Sequence, residues 1–193
     1  MTAFHETAPT GATAGIASRI RAAIPVLQTE RLVLRAPRVG DFSVFAEMLK
    51  GPRGRFYGQP KTRAETWAIF MQLTGTWLLR GHGAWTVTDR GTGNIFGFVQ
   101  IGAEPGDQEP ELGYLVSAEA EGRGIAFEAA AAVRDYAFET AGLPSLVSYV
   151  STENTRSARL AERLGGQHDA AAARALPGGG KCYVFRHTVT GGT

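Results

Sequence analysis

Two polar segments at the starts of predicted helices carry the residues best suited to chemistry. A short strand leads into the small, charged loop 119–124, which opens an alanine-rich helix. A second strand delivers Asn154 and Ser157 to the start of another helix. The first N–H groups of a helix lack intrahelical partners and carry partial positive charge, so an N-terminus reached through glycines can bind a pyrophosphate. Together the two segments predict a pocket for a phosphorylated cofactor and the group that reacts on it.

The residue types within the loop favour phosphate binding. Gly122 and Gly124 permit unusual backbone angles and leave no Cβ between a ligand and the N–H donors. Arg123 adds a permanent positive charge. A Gly-x-Gly turn alone is equally compatible with an ordinary strand-to-helix connection, so that alternative stays open. The sequence has no G-x-x-x-x-G-K-[ST], and Phe127 stands where a dinucleotide-binding fingerprint needs its third glycine, which argues against both standard nucleotide sites.

Composition restricts the remaining classes of function. The chain has 193 residues, enough for one substantial core, so we expect a single domain over 26–193. Its 20 basic and 18 acidic side chains give a net charge of +2, and the basic residues are scattered, which argues against nucleic-acid binding. One cysteine, Cys182, excludes an internal disulfide, and four dispersed histidines show no metal-ligand spacing. We therefore predict no metal.

The first 25 residues are expected to form a weakly ordered tail. Ile16, Ile20 and Ile24 recur at helical spacing and predict a short amphipathic helix that docks on the domain or on a partner subunit. No window approaches the roughly 18 apolar residues of a membrane span. The N-terminus lacks the pattern of a secretion signal. These features predict a cytoplasmic protein without a membrane segment.

Hydrophobic periodicity predicts the order of the elements. Asp41 is a candidate cap for a helix that ends at Gly51-Pro52, and a second helix is predicted over 62–80. Its inner side is predicted to carry Trp67, Phe70, Met71, Leu73, Trp77 and Leu78. The predicted strands are 31–35, 84–88, 94–102, 111–116, 145–150 and 181–189, with the last pairing residues around 166–173. This order predicts an α/β fold with a mixed sheet and helices on both faces.

Four stretches, taken together, resemble the GNAT superfamily of acyl-CoA-dependent N-acetyltransferases. They are LQTERLVLRAP, AWTVTDRGTGNIFGFVQIG, PELGYLVSAEAEGRGIAFEA and ENTRSARLAERLGG, which occur in the family's order over residues 27–166. Within the superfamily, they resemble the Rim branch, which acetylates N-terminal residues of ribosomal proteins. The resemblance implies a mostly antiparallel central sheet of about seven strands, with one splayed pair that binds acyl-CoA.

The resemblance also implies a set of cofactor-binding positions. Acetyl-CoA would bind where strand 111–116 diverges from strand 145–150, with freed strand-edge groups pairing with its pantetheine amides. The loop backbone would hold the pyrophosphate, and Asn154 would bind the pantetheine arm or fix the local loop. The implied cofactor-binding residues are Leu115, Val116, Glu121, Gly122, Arg123, Gly124, Ile125, Ala126, Asn154 and Ser157.

Two side chains are implied to act on the reacting groups. Glu111 occupies the glutamate of the branch's E-[LI]-G-Y pattern and is the candidate general base. An ordinary solvent-facing strand glutamate remains the alternative. Ser157 matches a serine of the Rim branch and could donate to the departing sulfur, or it could merely satisfy backbone groups of its helix. The chain departs from the family at Ala161, where many relatives carry a tyrosine that acts as general acid, and at Gly166, where phenylalanine is usual.

The sequence thus predicts an acetyltransferase that moves acetyl from acetyl-CoA to a primary amine by direct attack in a ternary complex. The missing tyrosine keeps an inactive acyl-CoA-binding sensor or assembly module as the alternative. Loops 51–60 and 102–110 are expected to line the acceptor entrance, with Phe56, Tyr57, Trp85 and Glu111 as candidate acceptor contacts. The expected acceptor is a small-molecule or protein N-terminal amine, and the chain is expected to be a monomer or homodimer.

Overall fold

The computed structural model describes residues 3–51, 54–57, 62–177 and 181–188. Its α-helices are α1 (Gly11–Ala22), α2 (Phe42–Lys50), α3 (Arg63–Arg80), α4 (Ile125–Asp135), α5 (Thr155–Arg163) and α6 (Ala170–Ala175). Its strands are β1 (Leu27–Gln28), β2 (Leu32–Arg35), β3 (Ala84–Asp89), β4 (Ile95–Gly102), β5 (Glu111–Val116), β6 (Leu146–Ser151), β7 (Gln167–His168) and β8 (Cys182–His187). The described residues do not include Val189 of the predicted last strand. They also do not include residues 52–53 and 58–60 of the predicted loop 51–60.

All of these strands form one sheet in the order β1-β2-β3-β4-β5-β6-β8-β7. Every neighbouring pair is antiparallel except β5 and β6, which are parallel. The predicted mixed, mostly antiparallel sheet is therefore confirmed, with eight strands where about seven were expected. The additional strand is the two-residue β1. The prediction of a strand across 166–173 is wrong beyond β7, because Asp169 accepts a hydrogen bond from the Ala172 N–H at 2.9 Å and caps α6.

Helices cover both faces of the sheet because successive strand side chains point to opposite sides. On one face, α4 packs its buried alanines and Val133 against a cluster that includes Trp85 and Leu112. On the other face, α2 and α3 pack around Phe98 and Leu115. In α3, Met71 and Leu78 were predicted on the inner side, but they are 48% and 78% exposed. The inner face of the helix carries Phe70, Leu73 and Trp77, and Met71 and Leu78 each follow a residue of this face by one position, which turns them about 100° away from it.

The N-terminal residues form more structure than a weakly ordered tail. A 3-10 turn over Phe4–Glu6 precedes the predicted helix, which spans α1. Ile24 is buried at 8% exposure, but Ile16 and Ile20 remain about half exposed at 49% and 52%. The spacing of the isoleucines thus predicts the helix correctly. It predicts the burial of their side chains only for Ile24. Within the described ranges, no helix combines the length and hydrophobicity that a membrane crossing requires.

Asp41 joins three segments instead of capping α2. Its carboxylate accepts hydrogen bonds from the Arg35 guanidinium at 2.7 and 2.9 Å, from the Thr86 hydroxyl at 2.8 Å and from the Arg38 N–H at 2.9 Å. It forms no side-chain cap with the helix. Asp41 is only 4% exposed, so its carboxylate is a buried charge. The donors to this carboxylate lie on β2, on β3 and in the segment that follows β2.

We expect Asp41→Ala to lower the free energy of unfolding by about 3–5 kcal/mol, because it leaves the half-buried Arg35 guanidinium without its partner and the buried Thr86 hydroxyl without its acceptor. Urea unfolding at neutral pH measures the change. The matched control is Glu47→Gln on α2, where Glu47 pairs with Lys50 but both side chains are about two-thirds exposed (66% and 64%). The control should leave the unfolding midpoint nearly unchanged. Equal effects of the two substitutions would contradict the role assigned to Asp41.

Candidate functional site

A cleft of about 860 Å³ runs along β5 between β6 and the starts of α4 and α5. Its lining includes all six residues of β5, residues of the loop that precedes α4 and residues of the first turn of α5. Of the predicted site residues, the structure brings together in this cleft Phe56, Tyr57, Glu111, Leu115, Val116, Glu121, Gly122, Gly124, Ile125, Ala126, Asn154 and Ser157. Arg123 and Trp85 do not line it.

The cleft exists because β5 and β6 separate after a single register pair. Glu111 lies opposite Val147, whose N–H donates to the Pro110 carbonyl at 3.0 Å. One step further, the Leu112 carbonyl accepts from the Ser148 side-chain hydroxyl at 2.8 Å. That hydroxyl stands where a backbone donor would continue the ladder, and the strands diverge beyond it. The edge of β5 from Gly113 onwards therefore faces the cleft.

A buried histidine holds the Ser148 hydroxyl in place. Because the hydroxyl donates to Leu112, the His187 Nε2–H at 3.0 Å is the donor to the Ser148 oxygen. Burial, aided by the Arg134 charge, lowers the pKa of His187 to about 4, so the ring is neutral at neutral pH. Ser148 and His187 were missed by sequence reasoning. Isolated polar residues within apolar strands are the signal that marks them.

The loop before α4 presents its backbone to the opposite end of the cleft. Gly122 and Gly124 have φ angles of +72° and +76°, a region that residues with a Cβ rarely adopt. A Cβ at Gly122 would meet nothing within 4 Å, so the space over the loop is open. The first N–H groups of α4 have no intrahelical partners by helix geometry. This open, glycine-lined helix start fits a diphosphate group.

The positive charge at this end comes mainly from α5. Arg156, Arg159 and Arg163 line the cleft, and Arg156 forms an ion pair with Glu121 of the loop. Arg123, the predicted phosphate ligand, turns its guanidinium over the Phe96 ring, 4.9 Å from the centroid. The basic side chains that line the cleft near the loop therefore belong to α5, whereas the Arg123 side chain packs on Phe96.

The start of α5 positions the predicted Asn154 and Ser157. The Asn154 side-chain oxygen accepts from the Ser157 N–H at 3.2 Å, so this oxygen caps the helix. The Ser157 hydroxyl lies 2.9 Å from the Tyr114 hydroxyl, which also donates to the Ser157 carbonyl at 3.0 Å. The serine hydroxyl thus contacts a second hydroxyl in the cleft and not a backbone donor. Tyr114 was missed as a site residue, although it belongs to the quoted E-L-G-Y pattern.

Three carboxyl groups lie at the other end of β5. Glu111 is half-buried, and its burial, followed by repulsion from Asp107 and Glu104, raises its pKa to about 8. The pKa values of Asp107 and Glu104 are also raised, chiefly by desolvation. A carboxyl group with a pKa close to neutrality can accept a proton from a substrate and release it again.

The aromatic residues predicted at the acceptor entrance have different positions. Phe56 and Tyr57 line the cleft, and the Tyr57 hydroxyl donates to the Gln100 side chain at 2.8 Å. Gly113 makes room for that side chain, since a Cβ there would lie 2.9 Å from the Gln100 amide nitrogen. The prediction for Trp85 is wrong: its side chain is fully buried under α4, where the indole N–H donates to the Pro25 carbonyl at 2.8 Å.

The two departures from the family pattern lie in packed structure. Ala161 is fully buried against Val150 and Phe185, and its methyl group does not line the cleft. A Cβ at Gly166 would lie 2.8 Å from the Ala161 carbonyl and 3.2 Å from the Phe185 Cβ. A larger residue at 166 would therefore collide with β8. Among the residues that the structure describes, no group of three or more His, Cys, Asp or Glu side chains is arranged to hold a metal ion.

The two ends of β5 thus have opposite character. Five residue steps separate Glu111 from Val116, about 17 Å in an extended strand. At the far end lie the glycine loop and the arginines of α5. At the near end lie the three carboxyl groups. The cleft can therefore hold a long molecule with an anionic head at the glycine loop and its reactive end beside Glu111.

Comparisons with known proteins agree with this geometry. The acetyltransferase (GNAT) domain family model matches residues 31–167. Bacillus subtilis YoaA, described as an uncharacterized N-acetyltransferase, is 29% identical over 149 residues, 75% of this chain and 84% of its own. An acetyltransferase structure from Agrobacterium tumefaciens is 42% identical with a TM-score of 0.79, covering 86% of this chain and 95% of its own.

A more distant structure shows the same fold with ligands. Spermidine N-acetyltransferase from Vibrio cholerae, solved with CoA and spermine, is 19% identical with a TM-score of 0.62 and covers 82% of this chain and 94% of its own. At this identity the likeness concerns the fold alone. The match of the family model over most of the chain and the 42% identity to a solved acetyltransferase are sufficient for assignment. The chain belongs to the GNAT family of acetyltransferases.

Proposed function

We propose that residues 26–193 act as one domain that transfers acetyl from acetyl-CoA to a primary amine by direct attack in a ternary complex. The observation that supports this most strongly is the cleft along β5, with an open glycine-lined helix start at one end and a carboxyl group of raised pKa at the other. The diphosphate of acetyl-CoA binds the loop N–H groups. The pantetheine arm lies along the freed edge of β5 and brings the thioester towards Glu111.

Glu111 acts as the general base in this proposal. An amine attacks a thioester only in its neutral form, and an alkyl ammonium with a pKa of about 10 is almost fully protonated at neutral pH. The carboxylate of Glu111 accepts that proton, directly or through a water molecule. Approach of the cationic amine stabilises the charged form of Glu111, which compensates for the burial and for the repulsion from Asp107 and Glu104.

Ser157 assists the departure of the thiolate. Its hydroxyl lines the cleft. When the tetrahedral intermediate collapses, this hydroxyl turns from the Tyr114 oxygen and donates to the sulfur, while the Tyr114 hydroxyl turns from the Ser157 carbonyl and donates to the Ser157 oxygen, 2.9 Å away. Because a thiol has a pKa of about 8.5, a hydrogen bond to the sulfur is sufficient assistance. The pair thus supplies the donor that many relatives obtain from a tyrosine at the position of Ala161.

The acceptor is a cationic amine, either of a small molecule or of a protein N-terminus. Asp107 and Glu104 add negative charge around Glu111 and favour an ammonium over a neutral or anionic acceptor. The E-L-G-Y pattern of β5 and the serine at 157 support placement in the Rim branch. The spermidine-acetylating relative shows that small amines are accepted on this fold.

The proposal is tested by calorimetry with acetyl-CoA, followed by release of free CoA in the presence of a panel of amines that includes polyamines and N-terminal peptides. We expect measurable heat and thiol production with at least one cationic amine. Tight acetyl-CoA binding without thiol production from any amine would identify the inactive sensor or assembly module instead. Failure of the folded protein to bind any coenzyme A thioester would contradict the proposal.

Glu111→Gln should separate activity from stability. The glutamine cannot accept a proton, so CoA release should fall by about 100-fold while acetyl-CoA affinity stays within about twofold. The folded pKa of about 8 lies above the ordinary value of 4.5, so wild-type stability falls as pH rises from 4.5 towards 8 and then levels off. The variant lacks this loss. The difference in thermal midpoint, variant minus wild type, should therefore be larger at pH 9 than at about pH 4. An equal difference at the two pH values would refute the raised pKa of Glu111.

Gly124→Ala should weaken acetyl-CoA binding by about tenfold, because φ of +76° strains a residue with a Cβ and the loop relaxes away from its binding geometry. Gly142→Ala is the matched control. Gly142 also has a positive φ, +63°, and nothing lies within 4 Å of the position that a Cβ would take. It follows the C-terminal end of α4 and the helical turn Tyr136–Thr140, away from the loop. The control should lose similar stability but keep its affinity. Equal affinities of the two variants would argue against binding at the loop.

A further inference from the structure

The segment before β2 reaches across to the loop that precedes α4. The Arg31 guanidinium donates to the Glu128 carboxylate through Nε at 2.7 Å and through Nη2 at 2.6 Å. Its third nitrogen, Nη1, donates to the Arg123 carbonyl at 2.9 Å. One side chain therefore binds both the first turn of α4 and the backbone of the glycine loop.

Further hydrogen bonds fix Glu128 from the same segment. The Arg31 N–H donates to its carboxylate at 3.0 Å, and the Thr29 hydroxyl donates to the same oxygen. Glu128 is 17% exposed and Arg31 is 46% exposed, so the contact is shielded on the carboxylate side. Four donors thus converge on one carboxylate at the start of α4. This number of contacts restricts both partners to a single geometry.

The position of this contact bears on anion binding. Gly122 and Gly124 line the cleft and Arg31 does not, so Arg31 approaches the loop from outside. The carbonyl and N–H of a planar trans peptide point in opposite directions. When Arg31 holds the Arg123 carbonyl, it therefore turns the Gly124 N–H of the same peptide away from itself. The contact also neutralises a carboxylate that would otherwise repel an anion at the helix start.

We propose that Arg31 is a positioning residue for acetyl-CoA: together with Glu128, it holds the Arg123 carbonyl and aims the loop N–H groups at the cofactor diphosphate. This inference rests on the proposed function, because it assumes that acetyl-CoA binds at the glycine loop. Arg31 does not touch the cofactor itself. The proposal also gives Glu128 a defined role: this carboxylate holds Arg31 in place and has no contact with the reacting groups.

Three variants measured by calorimetry with acetyl-CoA test the proposal. Arg31→Gln should weaken binding by about tenfold, the factor that one charge-assisted hydrogen bond supplies. Arg90→Gln is the control, because Arg90 donates to the Thr29 carbonyl at 3.2 Å beside Arg31 and its loss changes the net charge equally. It should stay within about twofold of wild type. An Arg31→Gln affinity equal to that of the control would overturn the proposal and leave acetyl-CoA binding intact.

Glu128→Gln gives a test of sign. Simple charge repulsion predicts tighter binding of the anionic cofactor when the carboxylate is removed. Positioning predicts weaker binding, again by about tenfold, because the amide nitrogen of glutamine cannot accept from Arg31 and the carbonyl of Arg123 loses its fixed donor. Tighter or unchanged binding overturns the proposal.

A shortened ligand distinguishes positioning from general stability. Acetyl-pantetheine lacks the diphosphate, and its binding can be followed by ligand-observed NMR at millimolar concentration. Arg31→Gln should leave acetyl-pantetheine binding unchanged, whereas an equal loss for both ligands would overturn the proposal. If Arg31→Gln does not fold, Arg31→Lys replaces it: the lysine retains the charge but cannot bridge Glu128 and the Arg123 carbonyl, so the same selective loss is expected. Absence of heat with wild-type protein would instead overturn the proposed function, and with it this inference.

Discussion

The site depends on the interruption of one parallel strand pair. A continuous ladder between β5 and β6 would consume every backbone group on the facing edges. Here the Ser148 hydroxyl binds the Leu112 carbonyl and ends the ladder after the first register pair. On its other side, β6 keeps six register pairs with β8. The sheet therefore opens at one seam without losing the support of the strands on either side, and the edge of β5 becomes available to a ligand.

Elements that are distant in the sequence stabilise the open seam. His187 of β8 holds Ser148, whereas Tyr114 of β5 contacts Ser157 at the start of α5 across the cleft. These contacts are hydrogen bonds between neutral groups, since burial keeps His187 uncharged and raises the pKa of Tyr114 to about 12. Among the described residues that line the cleft, the charged ones are the three carboxyl groups around Glu111, Glu121 of the glycine loop and the arginines of α5. The middle of the cleft can thus hold an uncharged arm, and under the proposed function one end binds the diphosphate and the other the ammonium of the acceptor.

The sequence predicts local features well where one segment determines them. The β5 bounds, the glycine loop and the placement of Asn154 and Ser157 at the start of a helix follow from periodicity and from residues a few positions apart. Predictions fail where a distant segment decides the outcome. Asp41 binds Arg35 and Thr86 in place of its own helix. Trp85 lies under α4, on a strand that β4 separates from β5. The Arg123 guanidinium lies over the Phe96 ring on β4, and the sequence of the loop alone does not reveal this contact.

The same limit explains why Glu128 has no evident role in the sequence. A glutamate in the first turn of a helix is ordinarily explained by the helix dipole alone. At an anion site, however, that carboxylate competes electrostatically with the ligand, so its presence needs a compensating cation. Arg31 supplies the cation from 97 residues earlier in the chain and adds a hydrogen bond to the loop. Desolvation opposes the ionisation of Glu128, but the hydrogen bonds from Thr29 and Arg31 outweigh it and lower its pKa. Since the Glu128 carboxylate stays charged at neutral pH, its contact with Arg31 can fix the loop before any ligand arrives. Under the proposed function, acetyl-CoA then meets N–H groups that need no reorganisation.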